Sequence, residues 1–454
     1  MLHRLASLNV ASWNIDDRVL LNLETSLRDG FLGLLWLLGS LLVAEITRDI
    51  LHWLAHRYPT RFVDHYIHHR VFRKDLTITD PGLYRQSQLR HDVPESLAMM
   101  AATVLLWGLG TWWDPTHALA SGFGVLYAFS FLIGGLSRGQ GLALESDLTH
   151  RPGAFVSPPS RWFVNRTYHW RHHFDDPNAY YCGTLTLLDR VMGTSLSLKG
   201  KTVAVTGASG TLGQALLKRF HTQGSRLIAL TSGQDPVTIE VDGTTLRLET
   251  IHWQVGQEQA LQDLLQRVDI LVINHGTNPH DQRSAAAIQQ AYEVNTFSAW
   301  RLLELFLATV KTNADIARKE VWVNTSEAEI MPAFSPLYEL SKRTLGDLVT
   351  LRRLDAPCVI RKVVLGPFKS TLNPIGILSA DWVAGQIIGQ AKRDWRTIIV
   401  TIYPYTFILI PWQEFWKSLY YRLFSRSPQV SQSQGSQGGI ADLTAQDGSE
   451  TIQG

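Results

Sequence analysis

Three apolar runs occupy the first third of the chain. Phe31–Ala44 carries no charge, and a helical pattern extends it through Glu45, Arg48 and Asp49 to His52 and His56. Ser96–Trp113 and Ala118–Ser137 are uncharged, rich in Leu, Ala, Gly and Trp, and parted only by residues 114–117. Roughly 17–25 such residues cross a bilayer core, so the last two runs predict a transmembrane hairpin, with Trp112 and Trp113 in an interfacial belt. From about Leu198 the texture changes. Short β-type runs at Lys201–Val205, Arg226–Leu230, Asp269–Ile273 and Glu320–Val323 alternate with helical patterns such as Ala260–Arg267 and Ala299–Val310. Strands alternating with helices predict a parallel α/β sheet. Ile398–Phe424 is again apolar and aromatic, interrupted by Pro404 and Pro411, and reads as an interfacial anchor. Residues from about Ser427 are Ser/Gln/Gly-rich and read as a disordered tail.

The expected architecture is therefore multi-domain. An all-α integral-membrane domain (1–197) precedes an α/β Rossmann-like domain (198–397), an amphipathic membrane-associating segment (398–426) and a tail (427–454). Composition agrees. Of 454 residues only 18% are charged, below the roughly 25% of an average soluble protein. A net charge of +2 gives no basic field for nucleic acid, and two cysteines exclude a disulfide scaffold or a cysteine-based zinc module. The N-terminus lacks the basic, apolar and cleavage-site pattern of a signal peptide. Arg57, Arg61, Arg70, Arg73 and Lys74 follow the first run, and Arg138, Arg151, Arg161, Arg166 and Arg171 follow the third. The turn between the second and third has no Lys or Arg. The positive-inside rule puts both basic segments on the cytosolic face of a multi-pass protein.

Those same segments hold most of the chemistry. Of sixteen histidines, His52, His56, His65, His68 and His69 fall in one stretch and His169, His172 and His173 in another. Residues three or four apart share a helix face, so each group can converge on a metal. Eight imidazoles exceed one ion's needs and predict a dinuclear centre, with Glu45 and Asp49 as possible acceptors for ring N–H groups.

H52WLAH56, H65YIHH69 and H169WRHH173, with D189RVMGT194 behind, resemble the integral-membrane fatty acid hydroxylase/sterol desaturase superfamily over roughly residues 30–195. His150 in D147LTH150 resembles that family's additional ligand, and His91 in H91DVPE95 another common histidine. The resemblance implies a non-haem di-iron site held by His52, His56, His65, His68, His69, His150, His169, His172 and His173. It also implies O2 and an electron donor, used to hydroxylate or desaturate a lipid or sterol-like substrate.

The second half carries T206GASGTLG213, a strand-to-helix glycine turn able to seat a phosphate at the helix N-terminus. Gly207, Ser209, Gly210, Thr211, Leu212 and Gly213 are its candidate cofactor contacts, joined by Asn274 and Gly276. Asn295, Ser326, Tyr338 and Lys342 follow in order. Tyr338 and Lys342 lie one helical turn apart, so the lysine can lower the phenol pKa while the phenol transfers a proton and Ser326 holds the substrate oxygen. This set resembles the short-chain dehydrogenase/reductase family over about residues 199–371, which implies catalytic roles for Asn295, Ser326, Tyr338 and Lys342. There are departures: Ser326 to Tyr338 is one residue short of the usual spacing, and Glu327 stands where a second serine is common. No acid ends Arg226–Leu230, which leans toward NADP over NAD.

The whole layout resembles cyanobacterial-type bifunctional sterol desaturase/short-chain dehydrogenase proteins and, more distantly, plant wax-biosynthesis proteins. It predicts a membrane-bound lipid oxidoreductase pairing di-iron C–H oxidation with NAD(P)-dependent alcohol/carbonyl interconversion. The short join between Met192 and Val203 favours direct hand-over between the sites. Alternatives are fatty-aldehyde chemistry and an NADP-binding scaffold or sensor without turnover.

Overall fold

The computed structural model describes residues 17–58 and 63–426. Arg61 and the tail expected from 427 lie outside the described residues. The first apolar run is the core of a longer helix, Asp17–Arg57, which delivers His52 and His56 at its last turns. The helix Val93–Trp113 carries Pro94 in its first turn, directly after the π-helical turn Gln88–Asp92. It stops at Asp114, which accepts a hydrogen bond from Trp36 Nε1 at 3.1 Å. Gly122–Gly139 returns alongside it. The three helices pack closely where side chains are smallest: a Cβ on Gly110 would lie 2.7 Å from the Trp36 ring, and one on Gly124 equally close to Ser40. By length and composition, three helical stretches among the described residues suffice to cross a membrane: Leu20–Arg57, Pro81–Trp113 and Ala118–Gly139.

The second half is a seven-stranded, wholly parallel sheet. Its order is Glu249–His252, Arg226–Thr231, Thr202–Thr206, Ile270–Ile273, Glu320–Ser326, Val359–Leu365 and Thr397–Val400. The order reverses between Thr202–Thr206 and Ile270–Ile273, so a crevice opens above their C-terminal ends. Val203, Val272, Trp322 and Val363 are buried between covering helices, as a doubly covered parallel sheet requires. An antiparallel hairpin, Thr238–Val241 with Thr244–Arg247, is inserted outside the sheet.

The boundary expected at 397/398 needs correction. The β-branched run Thr397-Ile-Ile-Val400 pairs in register with Lys362–Leu365 and closes one sheet edge, so residues 398–400 belong to the sheet. The apolar, aromatic segment beyond it forms the helix Thr406–Phe424, which runs through Pro411.

The two halves share one buried polar seam. Arg171 ion-pairs with Glu320 at 3.2 Å, Lys201 with Asp175 at 2.7 Å, and Arg361 with both Glu320 (2.7 Å) and Asp394 (2.9 Å). Arg171, one of the basic residues counted for the cytosolic side, is fully buried against the sheet. Leu76, Phe155, Trp170 and Ala317 add an apolar patch to the seam.

Candidate functional site

All nine histidines expected as ligands gather in one place. His52 and His56 come from the end of the first long helix, His65, His68 and His69 from His65–Val71, and His169, His172 and His173 from Arg166–Phe174. His150 comes from the loop after the third apolar helix. They form two groups. Ring nitrogens of His52, His56, His65 and His172 all lie within 4.8 Å of one another, as do those of His68, His150, His169 and His173. His69 joins the first group, its Nε2 2.8 Å from that of His65 and 3.0 Å from that of His172. Its ring lies 4.7 Å from that of His173 in the second.

The donor set fits metal ions. His172 Nδ1 faces the Ala179 carbonyl at 2.8 Å, an acceptor only, so Nδ1 carries the proton and the Nε2 lone pair is free. That lone pair points at Nε2 of His52 and His56, 2.9 and 3.1 Å away. His150 repeats the device: Nδ1 faces Asp147 at 2.7 Å, while Nε2 lies 2.8 Å from His169 and 3.2 Å from His173. Two nitrogens bound about 2.1 Å from one ion at right angles sit ~3.0 Å apart. Burial, reinforced by neighbouring imidazoles, holds His65, His68, His169, His172 and His173 well below the usual histidine pKa, so they stay neutral as ligands must.

The supporting acceptors differ from expectation. Glu45 and Asp49 serve no ring. Glu45 accepts from Arg48 and Tyr127, and Asp49 accepts from the Gly183 amide at 3.1 Å. Asp49 thus fastens the first helix to the loop after Tyr181, and Glu45 does so by accepting from the Leu185 amide at 3.4 Å. The ring acceptors are Ala179 O, which no spacing marks, and Asp147, three residues before His150. His91, carried on a π-helical turn, bonds His65 from behind, stacks on His68 at 4.6 Å and faces Asp92 at 2.7 Å. Asp189 is a structural hub, accepting from Tyr168 Oη and from the Tyr181 and Cys182 amides at 2.8–2.9 Å. Two cavities flank the cluster. One of about 510 Å³ reaches His56 with Trp53 and Tyr181, and one of about 970 Å³ reaches His150 with Phe72 and Leu148.

The glycine turn sits at the crevice. Gly207 has φ +61°, and a Cβ on Gly213 would fall 2.2 Å from Gly207 O, so the helix Thr211–Thr222 can start tight against the loop only with glycine there. Gly210, Ser209 and Thr211 line this turn, with Ser209 Oγ 3.0 Å from Thr231 Oγ1, and Leu212 is buried beneath it. Thr206 Oγ1 accepts from the Asn274 amide at 2.8 Å, tying the turn to the next strand end. A glycine-built cradle at a helix N-terminus fits a dinucleotide phosphate.

Above it, Asn295 is fully buried on a second π-helical turn, accepting from the Thr277 amide (2.8 Å) and donating to Ser341 Oγ (3.0 Å). Ser326 ends its strand, and the Tyr338 phenol hydrogen-bonds it. Burial pushes the Tyr338 pKa up, and the Ser326 bond offsets part of that. Lys342 donates to the Asn324 carbonyl at 3.2 Å, and burial brings its pKa down to about 8. Gly276 leaves room here: a Cβ would stand 3.1 Å from Asn295 Oδ1 and 3.7 Å from Lys342 Nζ. Glu327 accepts from Thr401 (2.9 Å) and Thr406, so it fastens the terminal helix to the sheet.

The two sites lie at opposite ends of the sheet. Glu320 starts the strand and meets the histidine helix through Arg171, while Ser326 ends it at the crevice. Six residue steps at about 3.3 Å put Glu320 and Ser326 ~20 Å apart. The short join at 193–202 therefore does not bring the sites together, and direct hand-over between them is not what the fold provides.

A seven-stranded parallel sheet with a glycine cradle and a Ser–Tyr–Lys set defines an NAD(P)-dependent epimerase/dehydrogenase-type domain. Residues 203–337 match the NAD dependent epimerase/dehydratase family. The chain is also 56% identical over 411 residues to a monoglucosyldiacylglycerol epimerase of Synechocystis sp., a match spanning 87% of this chain and 100% of that one. It belongs to that epimerase's family. Among solved structures it resembles a short-chain dehydrogenase from Sphingobium yanoikuyae in complex with NADPH (16% identity, 52% of this chain and 98% of that one, TM-score 0.40). It also resembles the ligand-free aldohexose dehydrogenase of Thermoplasma acidophilum (17%, 51% and 98%, 0.37).

Proposed function

We propose that the chain is a membrane-anchored epimerase that inverts one secondary alcohol carbon in the sugar headgroup of a glucosyl diacylglycerol. The Ser326–Tyr338–Lys342 arrangement carries this reading, taken with the full-length similarity to a lipid epimerase. A bound NAD(P) would supply reversible hydride transfer. Tyr338 removes the hydroxyl proton as the carbinol becomes a ketone and returns it on reduction, while Ser326 holds the reacting oxygen. Lys342 supplies positive charge near the phenol, and Asn295 fixes the loop carrying Gly276 beside it. Presenting the second face of the ketone before reduction inverts the centre without net redox change. The test is purified protein in nanodiscs given glucosyl diacylglycerol and NAD(P). Headgroup analysis should show an epimeric sugar, absent with Tyr338→Phe, and no product from the wild type would refute the reading.

The nine-histidine cluster favours a second activity in the same chain. His52, His56, His65, His69 and His172 would hold one ion and His68, His150, His169 and His173 the other, both of the di-iron kind. Iron there would supply O2-dependent C–H oxidation of a lipid, with electrons from a separate donor. The chain's own residues keep the imidazoles neutral, orient them through Ala179 and Asp147, and offer two flanking cavities. Incorporation of 18-O into lipid, lost with His172→Ala, tests this reading.

A further inference from the structure

The rim of the nucleotide crevice is apolar and projects into solvent. Phe334, between Ser326 and Tyr338, is 94% exposed and held at φ +56°, a region bulky side chains rarely adopt. Opposite it, in the segment after Val359–Leu365, Ile375 is 86% and Ile377 69% exposed. These two segments form one rim. Ser335 Oγ donates to Asn278 Oδ1 at 2.7 Å, and Asn278 Nδ2 donates to the Leu372 carbonyl at 3.5 Å.

The rim continues into the terminal helix. Thr406 donates to Glu327 one residue after Ser326, and Ile330 packs on the cluster of Ile410, Val364 and Ile399. The inner face of that helix is fixed by Glu414, 2.6 Å from Lys362 and 3.2 Å from Arg353, and by Lys417 with Asp347. Its outer face presents Phe407, Ile408, Trp412 and Phe415 to solvent, with Arg422 and Arg426 exposed at its end. A contiguous apolar surface of this kind on a folded domain marks a partner. Two observations select a bilayer. The same chain carries three helices able to cross one, and Trp412, Trp416 and Tyr420 beside exposed arginines have the composition of an interfacial helix.

We propose that the crevice mouth is a membrane-docking surface. The loops of Phe334 and Ile375, with the outer face of Thr406–Phe424, seat in the headgroup–acyl boundary, so the Ser326–Tyr338 pair meets its lipid at the bilayer surface. The identity of that lipid rests on the epimerase reading, whereas the docking rests on the geometry alone.

Cys182 and Cys358 are both buried, so single cysteines introduced at Ile375, Ile408 or the exposed Gln259 can be labelled selectively with an environment-sensitive fluorophore. The full chain is placed in phosphatidylcholine/phosphatidylglycerol nanodiscs with or without doxyl-labelled lipid. Labels at 375 and 408 should emit to the blue and lose roughly half their intensity to doxyl lipid, while the label at 259 does neither. Water-like, unquenched emission at 375 overturns the docking, whether or not sugar is epimerised. Quenching at 375 in a wild type that converts no glucolipid leaves the docking standing and sinks the epimerase reading. A Phe334→Ser/Ile375→Ser/Ile377→Ser variant should turn over bilayer glucolipid roughly tenfold more slowly, with NADPH affinity and turnover of a water-soluble glucoside unchanged. Equal losses on both substrates would assign these residues to the site interior and reject the docking.

Discussion

The guanidinium of Arg171, carried between His169 and His172, lies 3.2 Å from the carboxylate of Glu320, at the foot of the strand that ends in Ser326. Both side chains are buried, and Arg361 binds the same carboxylate through Nε and Nη2 at 2.7 and 3.0 Å. One acid thus holds the histidine helix to the sheet and neutralises two buried cations.

Removing that acid leaves Arg171 buried without its ion-pair partner and Arg361 with Asp394 alone. Glu320→Gln should cost ~3–5 kcal/mol and lower the unfolding midpoint measured by calorimetry in detergent. Burial opposes the charged carboxylate, but Arg361 and Arg171 more than compensate, bringing the Glu320 pKa down to about 2. A depressed acid pKa stabilises the fold above its unfolded value near 4.5, and the gain fades as pH falls toward 2. The wild type should therefore lose stability across that acid window, and Glu320→Gln should lose less. Equal acid slopes would assign the linkage elsewhere.

Metal content separates the two histidine groups. Protein purified from iron-supplemented cells should carry about two ions per chain by elemental analysis. His172→Ala removes the ring central to the first group, and His150→Ala one ring of the second. Each variant should retain roughly one ion while the double variant retains none. Full occupancy in the double variant would show that the histidines hold no metal.

Tyr338→Phe keeps the ring but deletes the proton carrier. Turnover of the sugar lipid should fall by ~10²–10⁴, with nucleotide affinity within about twofold of wild type. Gly213→Ala should do the reverse, because its Cβ would stand 2.2 Å from Gly207 O and displace the cradle. Nucleotide titration followed by fluorescence distinguishes the two defects.

Much of this was legible in the sequence because the signals are local. Spacings of three and four residues mark the histidine helices, and the glycine turn and Tyr-x3-Lys recur at fixed offsets. What escaped depends on contacts between distant segments. The partner of His172 is a backbone carbonyl seven residues away that no side chain announces. Charge counting took Arg171 as one more basic residue of a cytosolic segment, because nothing local shows that Glu320, 149 positions later, receives it. The separation of the two sites also escaped. A short linker fixes how far apart the joined ends are, but not at which end of each strand the chemistry sits.

Lys342 gives a prediction in which activity and stability move in opposite directions. Burial disfavours its ammonium, and its pKa falls from 10.5 to about 8. Between those values the unfolded chain still holds a proton that the folded protein has released. Raising pH through the window therefore stabilises the fold, by up to about 3 kcal/mol for a shift of this size. In the epimerase reading the ammonium assists the Tyr338 phenol, so the same deprotonation should make turnover decline with an apparent pKa near 8 as stability rises. Lys342→Met should lack both effects: low, pH-independent turnover and no alkaline gain in unfolding free energy relative to wild type. Lys342→Arg keeps its charge throughout and should show no decline near pH 8 in whatever turnover it retains. Measuring turnover and denaturant midpoints on the same three proteins from pH 7 to 10 decides the matter. A decline near pH 8 that persists in Lys342→Arg would place the titrating group elsewhere.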